Sequence, residues 1–262
     1  MKIIVCIKQV PDTNEVRIDP VKGTLIREGV PSILNPDDKS ALEEALRMKD
    51  ENKEVHITVI TMGPPQAKEV LFEGIAMGAD EGILLSDRAF AGADTWATSN
   101  TIAKAIEKIG KYDLIFCGRQ AIDGDTAQVG PQIAERLGIP QVSYVQKFFI
   151  DGDTVKVHRA MEDGYEVLEA KTPILLTTIK ELNVGRYPSI PRIIKAFRED
   201  PVKVWTNRDL DIPQTDIGLD GSPTQVKRSF TPEQKGAGQI LEGTTDEKVR
   251  KLVEILKSNN EL

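Results

Sequence analysis

The sequence predicts an α/β protein: an open, mostly parallel, doubly wound sheet of Rossmann-like design, with a small antiparallel extension and a C-terminal arm. Three observations carry this. Near-continuous runs of Ile, Val, Leu and Phe recur through the first 140 or so residues without strict alternation, as strands covered on both faces require. Segments with an apolar stripe at helical spacing lie between them. Strand and helix take turns, which is the rhythm of βαβ units.

The strand runs fall at 2–8, 55–62, 82–86, 113–117 and 141–150. Between them, 38–49 carries Ala41, Leu42, Ala45 and Leu46 on one face, 65–77 carries Val70, Leu71 and Ile75, and 94–109 carries Ala97, Ile102, Ala105, Ile106 and Ile109. Asn35 ahead of Pro36, and Asp94 ahead of Thr95, are helix-capping residues by type, because a short polar side chain accepts from first-turn N–H groups and Pro suits the first helical position. Beyond 141 the rhythm changes. Runs at 146–150, 155–158 and 165–169, split by Asp/Glu–Gly turns, predict an antiparallel meander; 173–178 resumes a buried strand and 189–197 a short helix.

From 200 to 244 the chain holds Pro201, Pro213, Pro223 and Pro232 with only scattered apolar residues. Such a segment cannot build its own core, so the expectation is disorder or packing against another surface. Thr244 and Glu247 form a capping-box pattern that opens a helix striped with Val249, Leu252, Val253 and Leu256. That stripe needs a partner surface, on this domain or on another subunit. The expected division is 1–198 as the α/β domain and 199–262 as the arm.

Composition narrows the function. With 34 Lys+Arg against 41 Asp+Glu the net charge is −7, and no basic block exists to neutralise phosphates, which argues against nucleic acid as the main partner. Two Cys in apolar runs exclude a disulfide framework and fit a reduced compartment. The first apolar run is only about five residues, short of a signal peptide, and no stretch approaches the roughly 20 apolar residues of a membrane span. The expectation is a cytoplasmic protein without membrane insertion. His56 and His158 are far apart and the Cys lack metal-ligand spacing, so no metal site is expected. There is no Gly-x-Ser-x-Gly elbow, phosphate loop or Gly-x-Gly-x-x-Gly. No catalytic acid, base or nucleophile is assigned, and function is sought in binding.

In open α/β sheets ligands bind beyond the carboxyl ends of the strands. Three turns there are chemically loaded: Gly118 to Pro131, whose glycines allow close backbone approach and whose following helix start directs N–H groups at an anion; Gly92 to Thr98; and Thr61 to Pro64 with Leu34 to Asp38. Lacking a phosphate-loop Lys, the first turn has backbone, Thr126 and Arg119 to offer. Three such turns on one edge point to a nucleotide or dinucleotide.

Residues 5–12 (Val-Cys-Ile-Lys-Gln-Val-Pro-Asp), 34–38 (Leu-Asn-Pro-Asp-Asp), 61–64 (Thr-Met-Gly-Pro), the loop 118–131 and the stretch 182–196 (Leu-Asn-Val-Gly-Arg-Tyr-Pro-Ser-Ile-Pro-Arg-Ile-Ile-Lys-Ala) together resemble the beta subunit of electron-transfer flavoproteins, in order and over the whole chain. The resemblance implies an adenine-nucleotide-binding fold, a heterodimer with an alpha subunit, and an arm wrapped on that subunit. Ordinary members hold AMP in the beta site. In the electron-bifurcating branch the site holds a second FAD, which takes a hydride from NADH and splits the electron pair. Gly124, where AMP-binding relatives tend to carry a bulkier acidic residue, and the stretch 86–95 resemble the bifurcating form.

By position, the resemblance implies nucleotide contacts at Cys6 (backbone), Asn35, Pro36, Asp37, Asp38 and Met62. It adds the run Gly118, Arg119, Gln120, Ala121, Ile122, Asp123, Gly124, Asp125, Thr126, Ala127, Gln128 and Val129. Asp94, Thr95 and Thr98 join if the ligand is FAD, and Ile190 would dock the partner dehydrogenase. Electrons would pass to an acyl-CoA or similar flavoprotein dehydrogenase through the alpha-subunit flavin, and to ferredoxin or flavodoxin. A conventional AMP-binding beta subunit and a nucleotide-binding module without redox function are the other readings.

Overall fold

The structure, a computed structural model, describes residues 1–12, 31–227 and 238–259. Eleven strands are present among them: β1 Lys2–Cys6, β2 Gln9–Pro11, β3 Ser32–Leu34, β4 His56–Met62, β5 Glu81–Leu85, β6 Leu114–Gly118, β7 Gln141–Asp151, β8 Thr154–Met161, β9 Gly164–Lys171, β10 Ile174–Thr178 and β11 Val202–Trp205. Nine form one sheet in the order β11-β5-β4-β1-β6-β10-β7-β8-β9, and β2 and β3 make a separate antiparallel pair. Every pairing from β11 to β7 is parallel; β7-β8 and β8-β9 are antiparallel. The doubly wound sheet and the meander are therefore as the sequence predicts.

The helices are α1 Pro36–Glu51, α2 Lys68–Met77, α3 Thr95–Ile109, α4 Val129–Leu137, α5 Ile190–Glu199, α6 Asn207–Leu210 and α7 Thr245–Ser258. Their apolar stripes cover the sheet from both sides. Ile3, Val5, Ile57 and Val59 pack with Leu42, Leu46, Val70 and Leu71 of α1 and α2. Ile4, Ile60, Ile83 and Leu85 pack with Ile102, Ala105, Ile106 and Ile133 of α3 and α4. Alternate residues of β1 thus enter two different cores, which explains why its sequence shows no polar face. The strand order reverses about β1, running outward through β4 and β5 on one side and through β6 and β10 on the other, so a crevice opens at the carboxyl ends of these parallel strands.

The segment after 200 differs from the expectation of a coreless arm. β11 adds a parallel edge to β5 through Val202–Gly82 to Trp205–Leu85, and Ile212 and Ile217 are buried in the α3/α4-side core. The scattered apolar residues are sufficient because each fills one place on an existing core. The compact unit extends through Lys227. Pro232, with all of 228–237, lies outside the described residues. In the second unit, α7 begins with the expected capping box: Glu247 accepts from Thr244 N–H at 2.8 Å, and Thr244 Oγ1 accepts from Glu247 N–H at 3.4 Å. Its Val249 and Leu252 are exposed. No described helix is long and apolar enough to cross a membrane.

Candidate ligand-binding site

At the carboxyl ends of β1, β4 and β6 lies a cleft of about 810 Å³, within the range of small-molecule sites. Its floor is Cys6 and Cys117. One wall is the loop from Gly118 to Gly130, the opposite wall is Met62 to Pro64, and α3 contributes Asp94, Thr95, Thr98 and Ile102. Phe90 and Ile60 line its apolar part, and Thr224 and Val226 lie at its edge.

Two helices begin here, and they differ electrically. At α3, Asp94 caps: its Oδ1 accepts from Ala97 N–H at 3.0 Å, and its Oδ2 accepts from Thr224 N–H at 3.0 Å and from Thr224 Oγ1 at 2.7 Å. Burial opposes the charge, but these bonds hold the Asp94 carboxyl below the usual range. At α4, Gln128 provides no side-chain cap and the first turn has no acidic residue. The positive end of α4, with the N–H groups of Val129 and Gly130, is thus the better matched to an anion. Thr95 links the two turns, donating to Gln128 Oε1 at 3.0 Å and accepting from Gln132 Nε2 at 3.3 Å. Thr61 Oγ1, buried in the cleft wall, has no protein partner.

The loop from Gly118 is pinned from α1. Asn35, fully buried, donates from Nδ2 to Gln120 O at 2.8 Å and accepts at Oδ1 from Ile122 N–H at 3.1 Å. Asp38 accepts from Lys8 N–H at Oδ2 (2.8 Å) and from Gly118 N–H at Oδ1 (2.9 Å). Burial pushes the Asp38 carboxyl up to about 7 against the pull of these hydrogen bonds and of Asn35. Burial also raises Asp37, which Arg119 opposes across a 3.4 Å ion pair. Gly118 has no alternative, since a Cβ there would strike Asp38 Oδ1 and lie 2.7 Å from its backbone nitrogen. The loop continues with Asp125 and Ala127 at φ of +47° and +52°, a left-handed conformation that costs a non-Gly residue about 1–2 kcal/mol.

Of the residues singled out from sequence, Cys6, Asp38, Met62, Asp94, Thr95, Thr98, Gly118, Arg119, Gln120, Ala121, Gly124, Thr126, Ala127, Gln128 and Val129 line the cleft. Asn35, Pro36, Asp37, Ile122, Asp123 and Asp125 stand behind it. Pro36 starts α1, Asp123 pairs with Lys8 at 2.6 Å, and Asp125 accepts from Gln120 Nε2 at 2.8 Å. Arg119 faces the cleft with its charge already shared with Asp37 and set over the Tyr144 ring. Sequence reasoning missed Lys8, Phe90, Thr224 and Val226; only Lys8, the cation closing a strand, carried a local signal.

Ile190 lies away from the cleft, at the start of α5. With Ile194 and Phe197 it presents an exposed apolar face, Ile190 at 73%. The preceding segment is anchored by Arg186, which donates to Glu43 through Nε (2.8 Å) and Nη2 (3.0 Å) and to Asp50 at 2.7 Å.

Fold and cleft together define an α/β protein with a deep cleft at the switch point of a parallel sheet. The electron transfer flavoprotein domain matches residues 22–210, and the chain belongs to that family, as a beta subunit. It is 64% identical to the electron transfer flavoprotein subunit beta of Clostridium acetobutylicum, over 99% of each chain. It is 58% identical, again over 99% of each, to subunit CarD of the caffeyl-CoA reductase-Etf complex of Acetobacterium woodii. Identity is 52% over 98% of each chain to the acryloyl-CoA reductase electron transfer subunit gamma of Anaerotignum propionicum.

Proposed function

We propose that this chain is the NADH-oxidising subunit of a bifurcating electron transfer flavoprotein, paired with an alpha subunit in the cytoplasm, and that its cleft holds FAD. The observation that carries FAD over AMP is the cleft's continuity. One space runs from the uncapped end of α4, past Gly124, to Ile60, Phe90 and Ile102 and the α3 turn. A Cβ at Gly124 would meet nothing within 4 Å, so the glycine is not demanded by packing and its missing side chain leaves room in the cleft.

The residues present fit such a group. Val129 and Gly130 N–H groups and Thr126 would meet its phosphates, Thr61 Oγ1 offers an unused polar atom, and the apolar wall would keep water from its ring system. FAD, when bound, supplies two-electron acceptance from NADH and one-electron release, chemistry that side chains cannot perform. The chain's own task is to hold and orient it: Asn35 and Asp38 fix the loop, and Lys8 ties the end of β1 to it through Asp123.

The names of the caffeyl-CoA and acryloyl-CoA reductase relatives support an acyl-CoA-type dehydrogenase as one electron partner, docked on the α5 face at Ile190. Ferredoxin or flavodoxin would take the other electron. Nucleotides released from the natively purified complex test this: two FAD per heterodimer without AMP are expected, and one FAD with one AMP would refute the FAD assignment.

A further inference from the structure

The chain has two cysteines, 111 positions apart, and the fold brings them together. Cys6 ends β1 and pairs in register with Cys117 on the parallel neighbour β6. In-register residues of a parallel pair share a face. Both side chains accordingly lie on the α3/α4 side of the sheet and both line the cleft, with Cys117 fully packed and Cys6 half-buried. The two side chains are therefore neighbours across the β1–β6 pair. We propose that Cys6 and Cys117 form a dithiol site in the floor of the cleft that captures soft, thiophilic species of the trivalent arsenical class.

The ligand class follows from what surrounds the pair. Among the described residues no group of three or more His, Cys, Asp and Glu is placed to hold a metal, so a zinc-like ion wanting four ligands finds two. Two sulfurs side by side satisfy a soft centre that needs only two. The neighbouring Cys6 thiol and burial push Cys117 well up, which makes it a poor thiolate and a slow target for alkylation. Capture of an arsenoxide does not require a standing thiolate. Two As–S bonds form as the bonds from arsenic to oxygen break, and the two thiol protons leave with that oxygen as one water. Nothing is oxidised or reduced. A species seated there would occupy the cleft floor, so the site is also a point of inhibition. The inference does not rest on which nucleotide the cleft holds.

The test uses phenylarsine oxide on the natively purified complex, as isolated and after dialysis that releases bound nucleotide, with this chain read by denaturing mass spectrometry and thiol titration. One adduct per chain and joint loss of both thiols in the dialysed sample is the expected result. Cys6→Ser and Cys117→Ser should each weaken retention about 100-fold or more, because the second sulfur no longer acts intramolecularly. Cys117→Ala serves if the buried serine impairs folding. Slower capture as isolated would place the access route through the cleft. Equal rates in both samples would keep the dithiol and count against the nucleotide reading. No adduct in either sample, or an adduct retained by either single variant, would overturn the proposal.

Discussion

Asp38 should give the wild-type chain a pH dependence that Asp38→Asn lacks. Its carboxyl sits near 7 in the folded chain and at its ordinary 3.8 when unfolded, with burial as the cause. A folded value above the unfolded one means that the native state binds more protons, so stability from this group is fully present below about 4 and is lost as pH rises through about 7. From about pH 5.5 to about pH 8, the two proton-binding curves differ by about 2 kcal/mol at 1.36 kcal/mol per unit. Asparagine keeps the size and one acceptor but cannot ionise. Urea unfolding of both proteins, followed by fluorescence of Trp96 and Trp205, should show the variant gaining about 2 kcal/mol relative to wild type across that interval. A difference independent of pH would refute the burial argument. It would mean that the N–H groups of Lys8 and Gly118 hold Asp38 ionised throughout.

Three further outcomes follow, two from the cleft and one from the α5 face. Gly118→Ala forces a Cβ onto Asp38 and should cost about 1–3 kcal/mol by thermal unfolding while loosening nucleotide binding. Gly124→Glu projects into open space, so stability should stay within about 0.5 kcal/mol, but nucleotide analysis should show FAD replaced by AMP. Ile190→Asp at the exposed start of α5 should leave cofactor content unchanged and reduce electron transfer to the dehydrogenase at least about tenfold, measured as the rate with the partner at subsaturating concentration.

The regular parts of the fold were legible because each left a periodic trace. Buried β1, β4, β5 and β6 read as apolar runs, α3 as a stripe ended by Gly110, and α7 by its capping box. β11 was not legible: four residues behind Pro201, it becomes a strand only because β5 offers an open edge. Nor was the packing of Ile212 and Ile217, single apolar residues whose partners are about 100 positions away. Within the site, sequence marked the loop from Gly118 and the cap at Asp94. It could not reveal that Asn35 and Asp37 serve the loop from behind the cleft, because those bonds span 82 to 87 positions. Nor did it show that Thr224 returns to Asp94, 130 positions on.

An anaerobic NADH titration of the natively purified complex tests most directly whether this chain's cleft carries a redox-active flavin. NADH should bleach the flavin absorbance, and Gly124→Glu should abolish the bleaching while the alpha-subunit flavin remains. A complex whose flavin does not respond to NADH, or whose response survives removal of the flavin from this chain, would contradict it.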